Sequence, residues 1–308
     1  MSWQTSLIKR LTSNVTPSGA WSYHPGTAGY SEPTALACLA LSAQGRDATL
    51  TTQGLSWLAA IQRVDGAVPI CASMPSPCWP TPIALLAWLG APESCRSSFE
   101  TACVQSARWL TKTKGRPIAQ NSRFFGHDTT LIGWPWIEGT HSWIEPTALA
   151  ILALDTAGHA NHERVREGLR VIENRALAAG GWNYGNTRVL NSTLRPFCSM
   201  TGLALMALAG RPPSANVEGA IAFLKSELPT VRSAISLSWG LLGLTAWDER
   251  PNGAGDWLAE AADRQSRLAD RSMPASPNAH HDALLLLADA GWHPTEKPAL
   301  AGAKGYGA

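Results

Sequence analysis

The sequence predicts an all-α protein, an α/α toroid of about five to six helical hairpins that takes in residues 1–308 as one domain. Three observations predict it. An apolar helical segment recurs six times. The segments between the copies are more polar, and their apolar residues recur with helical period. No run alternates apolar and polar residues as a strand would.

The clearest copies are residues 30–41, YSEPTALACLAL, and 143–154, WIEPTALAILAL. Both read aromatic-x-Glu-Pro-Thr-Ala-Leu-Ala. Residues 79–89, WPTPIALLAWL, form a third copy with Thr81 in place of the Glu. Residues 199–208, 235–244 and 280–288 complete the set. The starting positions are Glu32, Thr81, Glu145, Ser199, Ile235 and His280. They lie 36 to 64 residues apart, which suits a helical-hairpin repeat.

A helix that is apolar all round must be buried on every side. The partner segments 51–62, 97–113, 162–179, 216–228 and 255–270 have one apolar face and can meet water with the other. A ring with the apolar helices inside and the amphipathic ones outside satisfies both. Pro33 and Pro146 fall in first turns, where a missing N–H costs nothing. Gly45, Gly158, Gly210 and Gly291 follow the apolar segments as stops.

Hydrophobic residues make up 45% of the chain, charged residues 16%, and net charge is +2. That balance predicts a large core and argues against a nucleic-acid partner. The first residues, MSWQTSLIKRLTSNV, lack the apolar stretch of a signal peptide, and no 18-residue apolar run occurs. A cytoplasmic location is expected, with peripheral membrane contact left open. Of the six cysteines, Cys38 and Cys198 read as core residues and Cys71 and Cys78 flank a Pro-rich loop. Trp is over-used, 14 against 5 Phe and 4 Tyr. Trp in such numbers packs helix on helix, or lines a cavity as a stacking surface.

Residues 54–66, GLSWLAAIQRVDG, resemble the QW repeat of squalene and oxidosqualene cyclases through Trp57, Leu58, Gln62, Asp65 and Gly66. The closing Gly-Trp of that repeat is replaced here by Ala67-Val68 and occurs instead at Gly181-Trp182. Residues 109–115 and 222–227 are weaker copies, and the repeats cover about residues 20–290. The resemblance implies the α/α toroid of terpene cyclases and protein prenyltransferase β subunits, with a central apolar cavity and an isoprenoid or similarly apolar ligand. Neither family's chemical signature is present. The sequence has no Asp-x-Asp-Asp, the proton donor of class II cyclases, and no Asp-x-Cys, part of the prenyltransferase zinc site.

In such a ring the inner helices run the same way, so their first residues gather at one mouth. Glu32 and Glu145 are the candidate general acids there, if an apolar surround raises a carboxyl. The plain alternative is a carboxylate that complements a helix dipole. Ring closure brings Glu32 toward His280 or His281. The cluster His280-His281-Asp282 would hold a divalent metal together with Glu32, or cap its helix with nothing bound. Capping is the expectation, with no metal and no cofactor. The longest irregular segment, 115–142, is an inserted loop and candidate lid. It carries Phe124, Phe125, His127, Asp128, Trp134, Trp136, Glu138 and His141. Candidate catalytic residues are therefore Glu145, Glu32, Asp128 and His281. Candidate substrate-binding residues are Trp134, Trp136, Trp143, Trp239 and Arg195, the last flanking a loop with Arg188 where a diphosphate would be met. The function expected is that of a terpenoid cyclase or isomerase with a nonstandard acid. The alternatives are a noncatalytic isoprenoid or lipid binder, or a helical-repeat scaffold. Oligomeric state is left open.

Overall fold

The computed structural model describes residues 2–120, 125–189, 192–270 and 279–294. Its helices are, in order, α1 (Trp3–Ser13), α2 (Ser31–Ala43), α3 (Ala48–Ile61), α4 (Thr81–Leu89), the short α5 (Glu93–Arg96), α6 (Glu100–Lys112), α7 (Ile144–Thr156), α8 (Glu163–Asn174), α9 (Cys198–Leu208), α10 (Ala215–Glu227), α11 (Ala234–Thr245), α12 (Ala254–Asp270) and α13 (Ala279–Asp289). A two-residue hairpin, β1 (Arg188–Val189) with β2 (Ser192–Thr193), is the one paired ladder among the described residues and was not expected.

The six apolar copies are α2, α4, α7, α9, α11 and α13. Each packs on the next and α13 packs back on α2, which closes an inner ring. Outside it, α3, α6, α8, α10 and α12 each lie against the inner helix they follow. The sixth outer place belongs to α1, which packs on α13 and α12. Arg10 of α1 holds the buried Asp282 of α13 with both carboxylate oxygens, at 2.9 and 2.7 Å. The expectation that the repeats start near residue 20 left this helix out.

One connection is built repeatedly between an outer helix and the next inner one. The backbone N–H of Trp21, Val68, Trp134 and Trp182 donates to the hydroxyl of Thr34, Thr81, Thr147 and Thr201, at 2.9 to 3.0 Å. The last carbonyls of a helix lack intrahelical partners. The indole N–H groups of Trp21, Trp134 and Trp182 supply them, donating to Leu11, Leu110 and Ile172 at 2.9, 3.0 and 2.7 Å. Gln62, of the cyclase-like repeat, ties α3 to α6 by donating to the Ala102 carbonyl and the Ser106 hydroxyl. At the other end of the ring Ser42 donates to the Gly90 carbonyl and Gln44 to that of Leu286. The C-termini of α2, α4 and α13 thus meet on one side, as inner helices of common direction must.

The inner helices are buried along nearly their whole length: every residue of α4 and of α9, and Pro33 to Leu41 of α2. The wall of an open cavity would keep accessible surface. Among the described residues the inner-helix side chains Leu36, Leu85, Leu152, Leu203 and Leu285 keep 1% or less. Solvent reaches these inner helices at their ends. The outer segment expected over 162–179 stops as a helix at Asn174, with Arg175 as its C-cap. Gly45, Gly158, Gly210 and Gly291 have the left-handed backbone expected of stops. Among the described residues no helix is long and apolar enough to cross a membrane.

Helices α9 and α11 approach closely over glycine. A Cβ on Gly202 would lie 2.0 Å from the Trp239 carbonyl oxygen, and Gly243 sits against Gly202 from the other helix. Backbone cannot yield as a side-chain tip can. Gly202→Ala is expected to lower stability by about 2 kcal/mol or more despite alanine's better helix propensity. Urea unfolding followed by circular dichroism checks this.

Candidate active site

The two Glu-Pro-Thr copies place Glu32 and Glu145 at equivalent positions, the second residues of α2 and α7. Both carboxyls stand at the mouth, ringed by protein but still touching solvent. Their partners differ. Tyr23, in the turn before α2, donates its hydroxyl to Glu32 Oε2. His280, the second residue of α13, places Nε2 3.4 Å from Glu32 Oε1. Ring closure between α13 and α2 supplies that histidine. It is the approach expected from the repeat order. Glu145 has neither partner.

The protonation of the pair follows. Burial raises the Glu32 carboxyl, but the charge and hydrogen bond of His280 and the hydrogen bond of Tyr23 outweigh it and hold it below the ordinary range. Burial raises Glu145 with nothing to offset it, and the negative Glu32 raises it further, to about 8. At neutral pH Glu145 therefore carries a proton and Glu32 does not. Burial and Glu32 likewise push the Tyr23 phenol up, so it stays a neutral donor. Two titratable groups pushed apart by their surroundings are the usual arrangement of a general acid with its base.

Aromatic residues surround the mouth. Tyr30, Trp143 and Phe197 are the residues just before α2, α7 and α9, and Trp79 precedes α4 by two. They pair with neighbours: Tyr30 with Tyr23, Trp79 with Trp136, Trp143 with His141 and Phe197 with Tyr184, at centroid distances of 5.2, 4.7, 4.4 and 5.5 Å. Tyr184 and Phe197 are exposed.

The other candidates are dispersed. Trp136 and Trp143 are half-buried among these turns. Trp134, expected to meet a ligand, is 2% exposed and caps α6, with the Arg164 guanidinium 4.4 Å above its ring. Trp239 is 5% exposed within the packed part of α11. Neither indole is open to solvent. Arg195 is exposed on the loop leading to α9. Asp128 accepts from the Thr130 N–H and hydroxyl at 2.8 and 2.6 Å, which hold it ionised, and its own N–H is anchored on Asn174 of α8. It is a loop anchor, poorly suited to giving up a proton. His281 is kept neutral, its pKa pushed down to about 4 by burial, His280 and His24. Asp282 is bound to Arg10. Among the described residues no three His, Cys, Asp or Glu side chains gather as metal ligands, and the six thiols are buried and unpaired. Phe124 lies outside the described residues.

Tyr23 was missed in the sequence, although a signal exists. Trp21-Ser22-Tyr23, Trp134-Pro135-Trp136 and Trp182-Asn183-Tyr184 share the pattern Trp-x-aromatic. The first aromatic caps an outer helix and the second lies two residues nearer the mouth.

Similar folds are known. A novel α-amylase from Clostridium perfringens superposes with a TM-score of 0.61 at 11% identity, over 94% of this chain and 97% of that one. A variant of a type II terpene cyclase from Scytonema, in complex with its substrate geranylgeranyl dihydroxybenzoate, gives 0.56 at 14% identity, over 94% and 97%. An ent-copalyl diphosphate synthase from Streptomyces platensis gives 0.50 at 17% identity, over 85% of this chain and 50% of that one. No protein-family model and no curated protein matches the chain. The chain has the α/α toroid fold that terpene cyclases and glycosidases share.

Proposed function

We propose that the protein is an acid–base catalyst that cleaves a glycosidic C–O bond, with Glu145 as general acid and Glu32 as its ionised partner. The observation that carries the reading is the unequal surroundings of two carboxyls at equivalent positions of one mouth, Glu32 held by Tyr23 and His280 and Glu145 by neither, which drive their protonation apart. Glu145 gives its proton to the leaving oxygen. Glu32, held ionised by Tyr23 and His280, faces the positive charge that develops at the anomeric carbon or activates the attacking water. A carboxyl near pKa 8 serves as a proton donor to an oxygen that becomes more basic as its bond breaks. It is a poor donor to an alkene carbon, which needs a strong acid. The aromatic pairs offer flat apolar faces for sugar rings. An α-amylase and glycosidases among the proteins of similar fold support this direction.

A second reading keeps the isoprenoid substrate. Its support is the aromatic surround, which suits a carbocation, and the Scytonema cyclase fold with its geranylgeranyl-bearing substrate. Incubation with a panel of α- and β-linked oligosaccharides, prenyl diphosphates and squalene separates the two. New reducing ends, absent with Glu145→Gln, are expected from a glycoside. A cyclised isoprenoid would replace the glycosidase reading with the second, and an unchanged panel would remove the glycosidase reading.

A further inference from the structure

Beside this mouth lies a cavity of about 270 Å³, walled in part by described residues of the 115–142 segment. Trp143 lines it and belongs to the turn that delivers Glu145. The other walls that matter here are Arg175, His127, His141, Phe125 and the exposed Arg116.

Arg175 is 5% exposed, and its guanidinium is poorly satisfied. Nη1 donates to the Ser142 carbonyl at 2.6 Å, while the buried Nε has no acceptor among the described residues. An arginine this deep is ordinarily paired, because an unneutralised buried charge is costly. The acid that acts on it electrostatically is Asp128, whose Oδ1 is already taken by Thr130. The adjoining backbone is shaped around the cation, since a Cβ on Gly185 would come within 2.9 Å of Nη1. The two histidines add no negative charge. Burial and the positive Arg175 push His127 down to about 4 and His141 below its ordinary range. The Arg175 guanidinium is itself lowered to about 10 by burial, partly offset by Asp128, and remains charged at neutral pH.

We infer that this cavity is an oxyanion-binding site, in which Arg175 and Arg116 hold the carboxylate or phosphate of a ligand whose apolar part lies on Trp143 and Phe125. The inference stands on the unsatisfied buried cation and holds whether or not Glu145 is a catalyst. Nη2, which makes no hydrogen bond among the described residues and is not sealed off as Nε is, is the donor that either anion meets. The neutral imidazoles each offer one N–H to the same group.

The test is isothermal titration calorimetry of the full chain with phenyl phosphate, inorganic phosphate and benzoate, and with benzyl alcohol as the uncharged control. Binding of at least one anion with no heat from benzyl alcohol is expected, and the preferred anion identifies the ligand class. Arg175→Gln is expected to weaken that binding by about tenfold or more. Arg116→Ala, a surface change that leaves folding intact, is expected to weaken it by a few-fold. The inference is overturned if none of the anions binds to the wild type. It is also overturned if benzyl alcohol binds as well as benzoate, or if a folded Arg175→Gln or Arg116→Ala variant keeps full affinity.

Discussion

Glu145→Gln is expected to abolish turnover while making the protein more stable at pH 8. The two effects share one cause. The carboxyl is ordinarily half-ionised near pH 4.5, and in the folded chain it holds its proton to about 8. Between those values the folded state keeps a proton that the unfolded state has released, so stability falls as pH rises. The loss is at most about 1.4 kcal/mol per pH unit over that interval. Glutamine does not titrate and avoids it. The variant should therefore match wild type at pH 4 and gain a Tm advantage of several degrees by pH 8. Glu32 behaves in the opposite sense. Its carboxyl is lowered, so its contribution is present above pH 4.5 and is lost as pH falls through its folded value. Activity should show a bell-shaped dependence on pH, with a basic limb near 8 and an acidic limb below the usual carboxylate range. Scanning calorimetry at stepped pH, with a pH–rate profile, measures both. A Tm difference that stays constant with pH would contradict the raised pKa.

Arg164→Ala is expected to be the most damaging single change away from the mouth. The guanidinium of Arg164 is buried in α8 and donates to the carbonyls of Thr113, Ile132 and Gly133 at 3.0 to 3.1 Å. It also pairs with Glu167 and lies over Trp134. It fastens the end of α6, the turn into α7 and α8 to one another. Removing it leaves three carbonyl oxygens without this donor and a void beneath the indole. The expected loss is about 3–5 kcal/mol. Arg164→Met keeps much of the packing but none of the hydrogen bonds, and should recover only a part. Urea midpoints read by Trp fluorescence measure the loss. An unchanged midpoint for Arg164→Ala would contradict the role given to this residue.

The ring was legible in the chain because burial leaves a one-dimensional trace. YSEPTALACLAL and WIEPTALAILAL are apolar on every face, and only an inner helix needs that. The pairing of Glu32 with Glu145 followed from the same match, since equivalent positions in a ring share a mouth. Which carboxyl carries the proton was not legible. That depends on Tyr23 and His280 reaching Glu32 alone, and His280 lies across the ring closure, 248 residues away by subtraction of the two positions. The tryptophans were readable as a class but not one by one. Trp134 and Trp136 differ by two residues, yet one caps a helix in the core and the other stands among the mouth turns. Arg164 and Arg175 lie within the amphipathic segment 162–179, where nothing in the sequence marks them out from its other charges. Only the fold shows that the turns entering α7 bury them.

The central claim is the split protonation of the two mouth carboxyls. It is tested most directly by 13C NMR of the protein labelled at glutamate side-chain carboxyl carbons, titrated from about pH 3 to about 9 so as to bracket the ordinary carboxylate value and the raised one, with Glu32→Gln and Glu145→Gln for assignment. The account predicts one resonance titrating near pH 8, lost in Glu145→Gln, and one titrating below the ordinary carboxylate range, lost in Glu32→Gln. Both carboxyls titrating together between about pH 4 and 5, as free glutamates do, would contradict it.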